Sequence, residues 1–464
     1  MNKELFSDLN RRDFLRGGSA AAVMALMGGV PILAEDDKKP AASALNADGS
    51  TNYRGEATPI NVGLIGCGIW GREILKTLSR IPYGPVVAIC DTYPAYLKRA
   101  ADLAPKAEKY TEYQKLLEDK NVQVVIVATP THQHKDVVIA ALKAGKHVYC
   151  EAPLASNVED AKAIAQAAKE SFRVNFQVGL QNRCDKQYVN LAGFLRTGVI
   201  GKWVKARTQF HKKQSWRLTS PNPDREKEIN WRLDKSVSLG LTGELGIHQL
   251  DIASWYQGAL PLSATGFGSI INWKDGRDVA DSVEVVLEYP DGVLVSFEGA
   301  LTTSFESEMN LLFGTNSTIM QRERRSWMFK EADAPLLGWE VYARKDAFYK
   351  ESGVVLGAGA TKQTTHSNKG TDADVVDATS TMEYALGHFL VNSFKHGAAV
   401  EDYLASYDAN DKAAFKEYLA GLDKTRLAAP GWKEGYETAV VVIKANEAII
   451  KGQKLTFDKS MFEV

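Results

Sequence analysis

The sequence has little that would bind a polyanion, form a disulfide framework or hold a metal. Lysine and arginine number 56 and aspartate and glutamate 57, which gives a formal net charge of -1. No excess of positive charge therefore favours nucleic acid or an anionic membrane as a partner. Only four cysteines occur in 464 residues, and no two of them form a CxxC pair. We expect buried, reduced thiols and no metal site.

A long hydrophobic run is also missing. The uncharged stretch from Gly17 to Ala34 is short and rich in glycine, so we expect no stable membrane span after export. It follows Arg11-Arg12-Asp13-Phe14-Leu15-Arg16, and paired arginines before a modest apolar run are typical of a twin-arginine export signal. Residues 1–34 are thus predicted to direct the protein to the periplasm. Because Ile32 suits a cleavage site poorly, an uncleaved, membrane-tethered form stays open.

A change of composition marks where the folded chain begins. Residues 35–57 are rich in Ala, Ser, Gly and charge, which predicts a flexible linker. In residues 58–180, short apolar runs alternate with helical segments and therefore predict βαβ units around a buried parallel sheet. The runs are Ile60–Ile65, Val86–Cys90, Val122–Ala128 and His147–Cys150. We expect an α/β, doubly wound Rossmann domain here.

Residues 181–464 predict a second, α+β domain with a large, mainly antiparallel open sheet. Its predicted strands are Trp203–His211, Ser263–Ile271, Ser282–Tyr289, Val293–Leu301 and Met309–Phe313. Asp291-Gly292 between two of them favours a hairpin turn. Helices are expected at Tyr384–Lys395 and Gly435–Ile450. Because so broad a sheet exposes one face unless something covers it, we also expect a homo-oligomer.

A glycine-rich turn in the first domain predicts a dinucleotide site. Gly66-Cys67-Gly68-Ile69-Trp70-Gly71 follows a predicted strand and opens a predicted helix, whose unpaired N–H groups and dipole suit a pyrophosphate. Asp91 closes the next strand twenty residues after Gly71. An acidic residue at this point binds the ribose 2′-hydroxyl and repels a 2′-phosphate, so the pattern favours NAD over NADP.

Two further segments resemble the Gfo/Idh/MocA oxidoreductase family. Thr129-Pro130-Thr131-His132-Gln133-His134 is similar to the family's TPNxxH segment, and the run from Ala144 to Glu151 is similar to AGKHVxxE, which leads into its EKP motif. The resemblance implies that Thr129, Pro130 and His134 lie beside the nicotinamide and its ribose. It also implies that Glu151 reaches the cofactor ribose.

The chain departs from the family inside the EKP motif, which here reads Glu151-Ala152-Pro153. In family dehydrogenases the lysine assists proton transfer from the substrate hydroxyl. The alanine side chain can neither transfer a proton nor form a hydrogen bond. The resemblance therefore predicts cofactor binding without this catalytic group.

A second catalytic motif of the family is matched more closely than the EKP motif. Gly243-Glu244-Leu245-Gly246-Ile247-His248-Gln249-Leu250-Asp251 resembles its DxGxHxxD helix. The spacing of Glu244, His248 and Asp251 places them on one face of a continuous helix, where Glu244 would orient the His248 imidazole. We expect His248 to be the catalytic acid/base. The alternative is a structural histidine in a buried polar network.

Five other residues are candidates for substrate binding, because aromatic, amide and cationic groups suit the apolar face and hydroxyl rim of a polyol. They are Gln181, Arg183, Lys212, Trp231 and Arg232. Together with the resemblance they predict an NAD-dependent oxidation of a ring hydroxyl in a sugar, glycoside or cyclitol. Export and the missing lysine favour a tightly bound cofactor that is recycled within the reaction.

Two alternatives remain at this point. The first is a redox-neutral, NAD-dependent glycosidase of the kind known in the family, which oxidises the sugar, eliminates the leaving group, adds water and returns the hydride. Such an enzyme hydrolyses without the paired carboxylates of ordinary glycosidases. The second is a protein that binds NAD and a saccharide without turnover.

Overall fold

A computed structural model of the chain describes residues 59–343, 345–348, 351–356 and 379–464. The predicted export signal (1–34) and linker (35–57) lie outside the described residues. The helices are α1 (Ile69–Leu78), α2 (Pro94–Leu103), α3 (Tyr113–Glu118), α4 (His134–Lys143), α5 (Val158–Glu170), α6 (Lys186–Arg196), α7 (Pro223–Ile229), α8 (Gly240–Glu244), α9 (Ile247–Gln257), α10 (Thr381–Ser406), α11 (Lys412–Ala420) and α12 (Trp432–Lys451).

The first domain is built on a six-stranded parallel sheet in the order β3-β2-β1-β4-β5-β6. Its strands are β1 (Val62–Ile65), β2 (Val86–Cys90), β3 (Glu108–Tyr110), β4 (Val124–Val127), β5 (His147–Cys150) and β6 (Phe176–Val178). β1 and β4 are buried along their whole length, which is why they read as continuous apolar runs. This strand order reverses beside β1, and the crevice at such a reversal is where doubly wound sheets bind ligands.

The second domain contains a ten-stranded sheet in the order β14-β15-β13-β12-β11-β7-β10-β9-β8-β16. Its strands are β7 (Trp203–His211), β8 (Ser263–Ser269), β9 (Ser282–Glu288), β10 (Leu294–Ala300), β11 (Glu308–Gly314), β12 (Ser317–Arg322), β13 (Arg325–Lys330), β14 (Lys345–Phe348), β15 (Glu351–Leu356) and β16 (Leu455–Thr456). All neighbouring pairs are antiparallel except β7 and β10. The predicted fold class is confirmed: a parallel Rossmann sheet is followed by an α+β domain with a mainly antiparallel sheet.

Helix α10 belongs to the C-terminal half of the sequence but packs on the first domain. Its buried residues Phe389 and Leu390 join the same hydrophobic cluster as Leu64 and Ile74 of the Rossmann domain. The Gln177 amide of β6 donates to the Ala385 carbonyl at 2.9 Å. The two parts of the chain therefore share one continuous packing surface near the cofactor-binding sheet.

All four cysteines are buried and unpaired, which confirms the prediction of reduced structural thiols. Within the described residues, no helix is both long enough and apolar enough to cross a membrane. The same part of the chain contains no cluster of three or more His, Cys, Asp or Glu side chains suited to a metal ion.

A partly buried histidine at the start of β5 makes stability depend on pH. The Asn175 N–H donates to Nδ1 of His147 at 2.8 Å, and the His396 ring lies 6.0 Å away. Burial, with a smaller effect of His396, lowers the pKa of His147 to about 3. Because the ordinary histidine pKa is about 6.5, only the unfolded chain takes up this proton as the pH falls below about 6.5. Stability is therefore lost between pH 6.5 and 3.

We predict that His147→Asn, which keeps an acceptor for the Asn175 N–H, weakens this pH dependence. One such group contributes about 1.4 kcal/mol per pH unit, so the variant should lose about 2 kcal/mol less than the wild type between pH 7 and pH 5. Urea unfolding at both pH values measures the difference. Equal losses in the two proteins would contradict the assignment.

Candidate active site

A cleft of about 1060 Å³ lies at the carboxyl ends of β1, β2 and β4. Of the predicted cofactor residues, the following line it: Gly66, Gly68, Ile69, Trp70, Asp91, Thr129 and Pro130. The opposite wall comes from the second domain, through residues 222–237. The cleft is thus formed between the Rossmann turn and a segment that crosses over it.

The backbone of the glycine turn explains each glycine separately. Gly66 has a φ of +100°, a conformation that favours glycine. A Cβ at Gly71 would lie 1.9 Å from the Gly66 carbonyl oxygen, so only glycine lets α1 begin this close to the turn. A Cβ at Gly68 would meet no protein atom within 4 Å, because this glycine faces the open cleft.

Asp91 joins the end of β2 to the glycine turn. Its two carboxylate oxygens accept backbone N–H groups, from Cys67 at 2.7 Å and from Tyr93 at 2.7 Å. Burial raises the pKa of Asp91, and these two hydrogen bonds oppose that rise. The carboxylate is therefore held in place at the cleft wall, where a ribose hydroxyl would meet it.

A short segment of the second domain, residues 220–229, covers the cleft at Asp91; we call it the cap. The Arg225 guanidinium lies over the Tyr93 ring, 4.6 Å from its centroid, and donates to Oγ1 of Thr92 at 3.3 Å. The Ser220 and Tyr93 hydroxyls are 3.4 Å apart. Asn222 caps α7 within this segment. These contacts join the two domains across the adenosine end of a dinucleotide site.

His134 lies behind the cleft. It is buried, with Nε2 at 3.0 Å from the Thr129 carbonyl and Nδ1 at 2.9 Å from the Pro153 carbonyl. Its ring therefore ties the loop after β4 to the loop after β5. The structure places His134 as a residue that positions Thr129 and Pro130, rather than one that faces the cleft.

Glu151 also lies behind the cleft wall and does not line the cleft. Its carboxylate accepts the indole N–H of Trp70, and burial raises its pKa to about 7. A Cβ at Gly179 would lie 2.6 Å from the Glu151 carboxylate, so β6 closes the space behind it. Ala152 adds no polar group here.

The structure differs from the sequence prediction for Glu244 and His248. The predicted single helix is broken: α8 ends at Glu244 and α9 begins at Ile247. The break occurs where Gly246 packs against Phe297, whose Cζ would be 2.5 Å from an added Cβ. Glu244 therefore does not sit one turn before His248 on a common helix face, and it does not orient the imidazole.

Glu244 instead belongs to the wall between the domains. It accepts the Thr131 hydroxyl at 3.2 Å and lies 3.6 Å from Nε of Arg232. Burial raises its pKa, and Arg232 opposes that rise. Arg232 also lies over the Trp231 ring, at 4.4 Å from its centroid. Trp231 and Arg232, predicted to bind substrate, thus line the cofactor cleft.

His248 lines a separate cavity of about 380 Å³. Its Nδ1 is buried and has no hydrogen-bond partner among the described residues. Burial lowers the pKa of His248, and Asp251 opposes this. The imidazole is therefore neutral at pH 7 and able to accept a proton.

The other predicted substrate residues have different positions. Gln181 lines the His248 cavity. Arg183 forms an ion pair with Asp251 at 2.8 Å and stacks on Trp255, so its charge is used inside the protein. Lys212 is exposed at the end of β7 and lines neither cavity.

The sequence analysis missed several residues that complete the two cavities. Glu308 and the tip of the β12–β13 hairpin border His248, and the cap borders the cofactor cleft. Glu323 and Arg324 at the hairpin tip both have positive φ values, 56° and 80°, and this is the signal of a two-residue turn. No local sequence motif identifies Glu323 and Arg324, because they lie about 75 residues after His248 and only the fold brings them to its cavity.

Comparison with known families settles the ancestry of this architecture. Residues 60–180 match the family described as "Oxidoreductase family, NAD-binding Rossmann fold", and residues 188–320 match the "GFO/IDH/MocA C-terminal domain". The two regions together make up more than half of the chain. The chain belongs to the Gfo/Idh/MocA oxidoreductase family.

Curated relatives in this family act on cyclitols and sugars. Inositol 2-dehydrogenase of Salmonella typhimurium is 36% identical over 145 residues, which is 31% of this chain and 43% of that enzyme. Levoglucosan dehydrogenase of Pseudarthrobacter phenanthrenivorans is 26% identical over 268 residues, 52% of this chain and 67% of that enzyme. The 2,7-anhydro-N-acetylneuraminate hydratase of Escherichia coli is 26% identical over 56% of this chain and 67% of its own length. The match to the inositol dehydrogenase thus spans less than half of that relative.

Solved structures share the fold over a longer stretch. Levoglucosan dehydrogenase in complex with NADH and L-sorbose superposes with a TM-score of 0.61 at 20% identity, covering 86% of this chain and 99% of that one. Aldose–aldose oxidoreductase from Caulobacter crescentus gives a TM-score of 0.58 at 16% identity, covering 86% of this chain and 100% of that one. At these identities the likeness concerns the fold.

The residues of the cleft fit NAD, the cofactor of this Gfo/Idh/MocA Rossmann domain. The first turn of α1 has no side-chain cap, so its N–H groups are available to a pyrophosphate beside the open Gly68. Thr129 Oγ1 and His132 Nδ1, both from residues of the cleft wall, are buried without a partner among the described residues. These groups need the hydrogen bonds that a bound dinucleotide would supply.

We predict that Gly68→Ala weakens NAD binding at least tenfold while leaving the fold intact. The added methyl group meets no protein atom but fills space that the pyrophosphate needs. Titration of NAD into nucleotide-stripped protein measures the affinity, and thermal unfolding measures the stability. Gly193→Ala in α6, where a Cβ also meets nothing, is the matched control and should bind NAD normally. Equal affinity in both variants would contradict this assignment.

Proposed function

We propose that the protein is an NAD-dependent oxidoreductase that acts on a ring hydroxyl of a sugar, glycoside or cyclitol. The observation that carries this proposal is the His248 imidazole, which lines a cavity and has a pKa lowered by burial, in a chain with an NAD-binding Rossmann domain. Dehydrogenation of a hydroxyl needs a group that takes its proton, and a neutral imidazole is suited to that task.

NAD, when bound, supplies the acceptor and the donor of a hydride. The chain holds the cofactor through Asp91, the first turn of α1 and the loop at Thr129. Nε2 of His248 accepts the hydroxyl proton of the substrate and later returns it. Gln181 lies in the same cavity and offers an amide to the neighbouring hydroxyl groups.

We further propose that the cofactor stays bound through the reaction. The cap places Arg225 over Tyr93 and beside Asp91, so a dinucleotide could leave only if these contacts opened. A resident cofactor must be restored in each cycle, which favours a redox-neutral reaction. A second carbonyl substrate can restore it, or the hydride can return to the same sugar after elimination and hydration.

One of the relatives, from Escherichia coli, is named as a hydratase, and hydration involves no net oxidation. This relative supports the alternative of a redox-neutral, glycosidase-like reaction. The inositol and levoglucosan dehydrogenases support net oxidation. The Ala152 side chain, in place of the family's lysine, keeps a third proposal open: a protein that binds NAD and a saccharide without turnover.

Transfer of deuterium separates the enzyme from the binder. We predict that ring-deuterated myo-inositol, levoglucosan or methyl glucoside passes deuterium to the protein's NAD, measured by mass spectrometry. His248→Gln should slow this transfer at least about 100-fold, because general-base catalysis contributes about that much. His211→Gln, at the end of β7, is the control and should not slow it. If no sugar passes deuterium to the wild-type protein, a binding role replaces the catalytic one.

We also propose export through the twin-arginine route, on the basis of Arg11-Arg12 and the apolar run that follows. This route carries folded proteins, which suits an enzyme that acquires NAD before leaving the cytoplasm. The periplasm, or its membrane face if the signal stays attached, is the proposed location.

A homo-oligomer is proposed from the outward face of the ten-stranded sheet. Phe267, Val286 and Leu294 point to this face and are 77%, 37% and 49% exposed. Burying such apolar side chains against a second copy would remove them from water. Sedimentation should therefore give a multiple of 50.9 kDa for the full chain.

Leu294→Asp should dissociate this assembly without unfolding the subunit, because the side chain is half exposed. Leu336→Asp is the matched control, since Leu336 is 91% exposed and lies in the connection between β13 and β14. A monomeric wild-type protein, or dissociation by both variants alike, would count against the sheet face as the interface.

A further inference from the structure

The His248 cavity contains a second titratable group that the proposed reaction does not yet use. Glu308 is the first residue of β11, is partly buried, and lines the same cavity as His248. The cavity is about 380 Å³, which brings its side chains within reach of one sugar ring.

Helix α9 borders both groups. The side chain of Gln249, the residue that follows His248, lies close enough to the Glu308 carboxyl group to lower its pKa. Gln249 is itself 1% exposed, so this contact is shielded from water. His248 on α9 and Glu308 on β11 therefore line the cavity together.

The surroundings of Glu308 raise its pKa, chiefly through burial. Burial raises its pKa and Glu323 acts in the same direction, whereas the Gln249 hydrogen bond and Lys212 act against them, and the result is a raised pKa. The nearby Arg324 donates to the Asp185 carboxylate at 2.5 and 3.2 Å, so its charge is already matched. A carboxyl group with a raised pKa and an imidazole with a lowered pKa provide an acid and a base in one cavity.

Removal of hydride and proton from one hydroxyl needs a single base. Elimination from the resulting ketone needs two groups, because one must take the proton from the carbon beside the carbonyl and another must protonate the oxygen that leaves. The pairing of His248 with Glu308 therefore matches an elimination better than a simple dehydrogenation.

We propose that Glu308 is the catalytic acid that protonates the leaving oxygen of a glycoside in the His248 cavity. The proposal rests on the oxidoreductase function proposed above, which forms the carbonyl and passes the first proton from His248 to water. The C–H bond beside the carbonyl then breaks, its proton goes to Nε2 of His248, and its electron pair forms the carbon–carbon double bond. The C–O bond of the next carbon breaks with its electrons on oxygen, and that oxygen takes the proton of Glu308.

The test compares leaving groups that need a proton with leaving groups that do not. The full-length wild type and Glu308→Gln are given methyl and 2,4-dinitrophenyl glycosides of a panel of hexoses, and release of methanol and dinitrophenol is measured. We expect the variant to lose at least about 100-fold on methyl glycosides and less than about tenfold on dinitrophenyl glycosides. Glu417→Gln, an exposed carboxylate on α11, is the matched control and should behave as wild type.

Deuterium transfer to NAD distinguishes failure of the acid role of Glu308 from failure of the oxidoreductase function. If Glu308→Gln transfers deuterium like the wild type and is selectively slow on methyl glycosides, the acid role is supported. If it loses activity equally on both kinds of glycoside, or if the wild type transfers deuterium yet releases no leaving group, the acid role is overturned and the oxidoreductase function stands. Absence of deuterium transfer in the wild type would overturn the oxidoreductase function itself.

Discussion

The close approach of α1 to the turn before it determines where everything else in the cofactor cleft lies. A Cβ at Gly71 would come within 1.9 Å of the Gly66 carbonyl oxygen, so two glycine backbones in contact set the start of the helix. From that position the first turn of α1 faces the cleft, and Asp91 reaches back to the Cys67 N–H at 2.7 Å. The cap contacts the cleft beside Asp91, because Arg225 of the cap lies over the Tyr93 ring. Cofactor binding and domain contact thus depend on one backbone approach.

Much of the fold follows from the sequence because buried parallel strands need apolar side chains on both faces. β2 and β5 were predicted with the bounds that the structure has. The strands of the second sheet up to β11 are also predicted, whereas those from β12 onward are not. Nor does the sequence indicate that α10 packs on the Rossmann domain, since that contact joins residues about 300 positions apart.

The site is harder to predict than the fold, and Glu244 shows why. Its spacing from His248 matches a helix, but the helix is interrupted between Glu244 and Ile247, and the carboxylate accepts the Thr131 hydroxyl. No sequence pattern identifies Glu308 as a site residue, because a single acidic residue at the start of a strand is common on protein surfaces. Both errors come from tertiary contacts, which decide side-chain partners after local structure has formed. His248 and Glu308 line the same cavity although they lie about 60 residues apart in the sequence.

The central claim is that NAD is resident beneath the cap and is recycled there. The most direct measurement is the amount of NAD(H) released by denaturation from the purified, extensively desalted full chain, identified by mass spectrometry. The account predicts close to one NAD(H) per chain, and clearly less in Arg225→Ala, whose cap lacks the contact with Tyr93. A wild-type protein that is empty, and that binds added NAD only weakly, would contradict it.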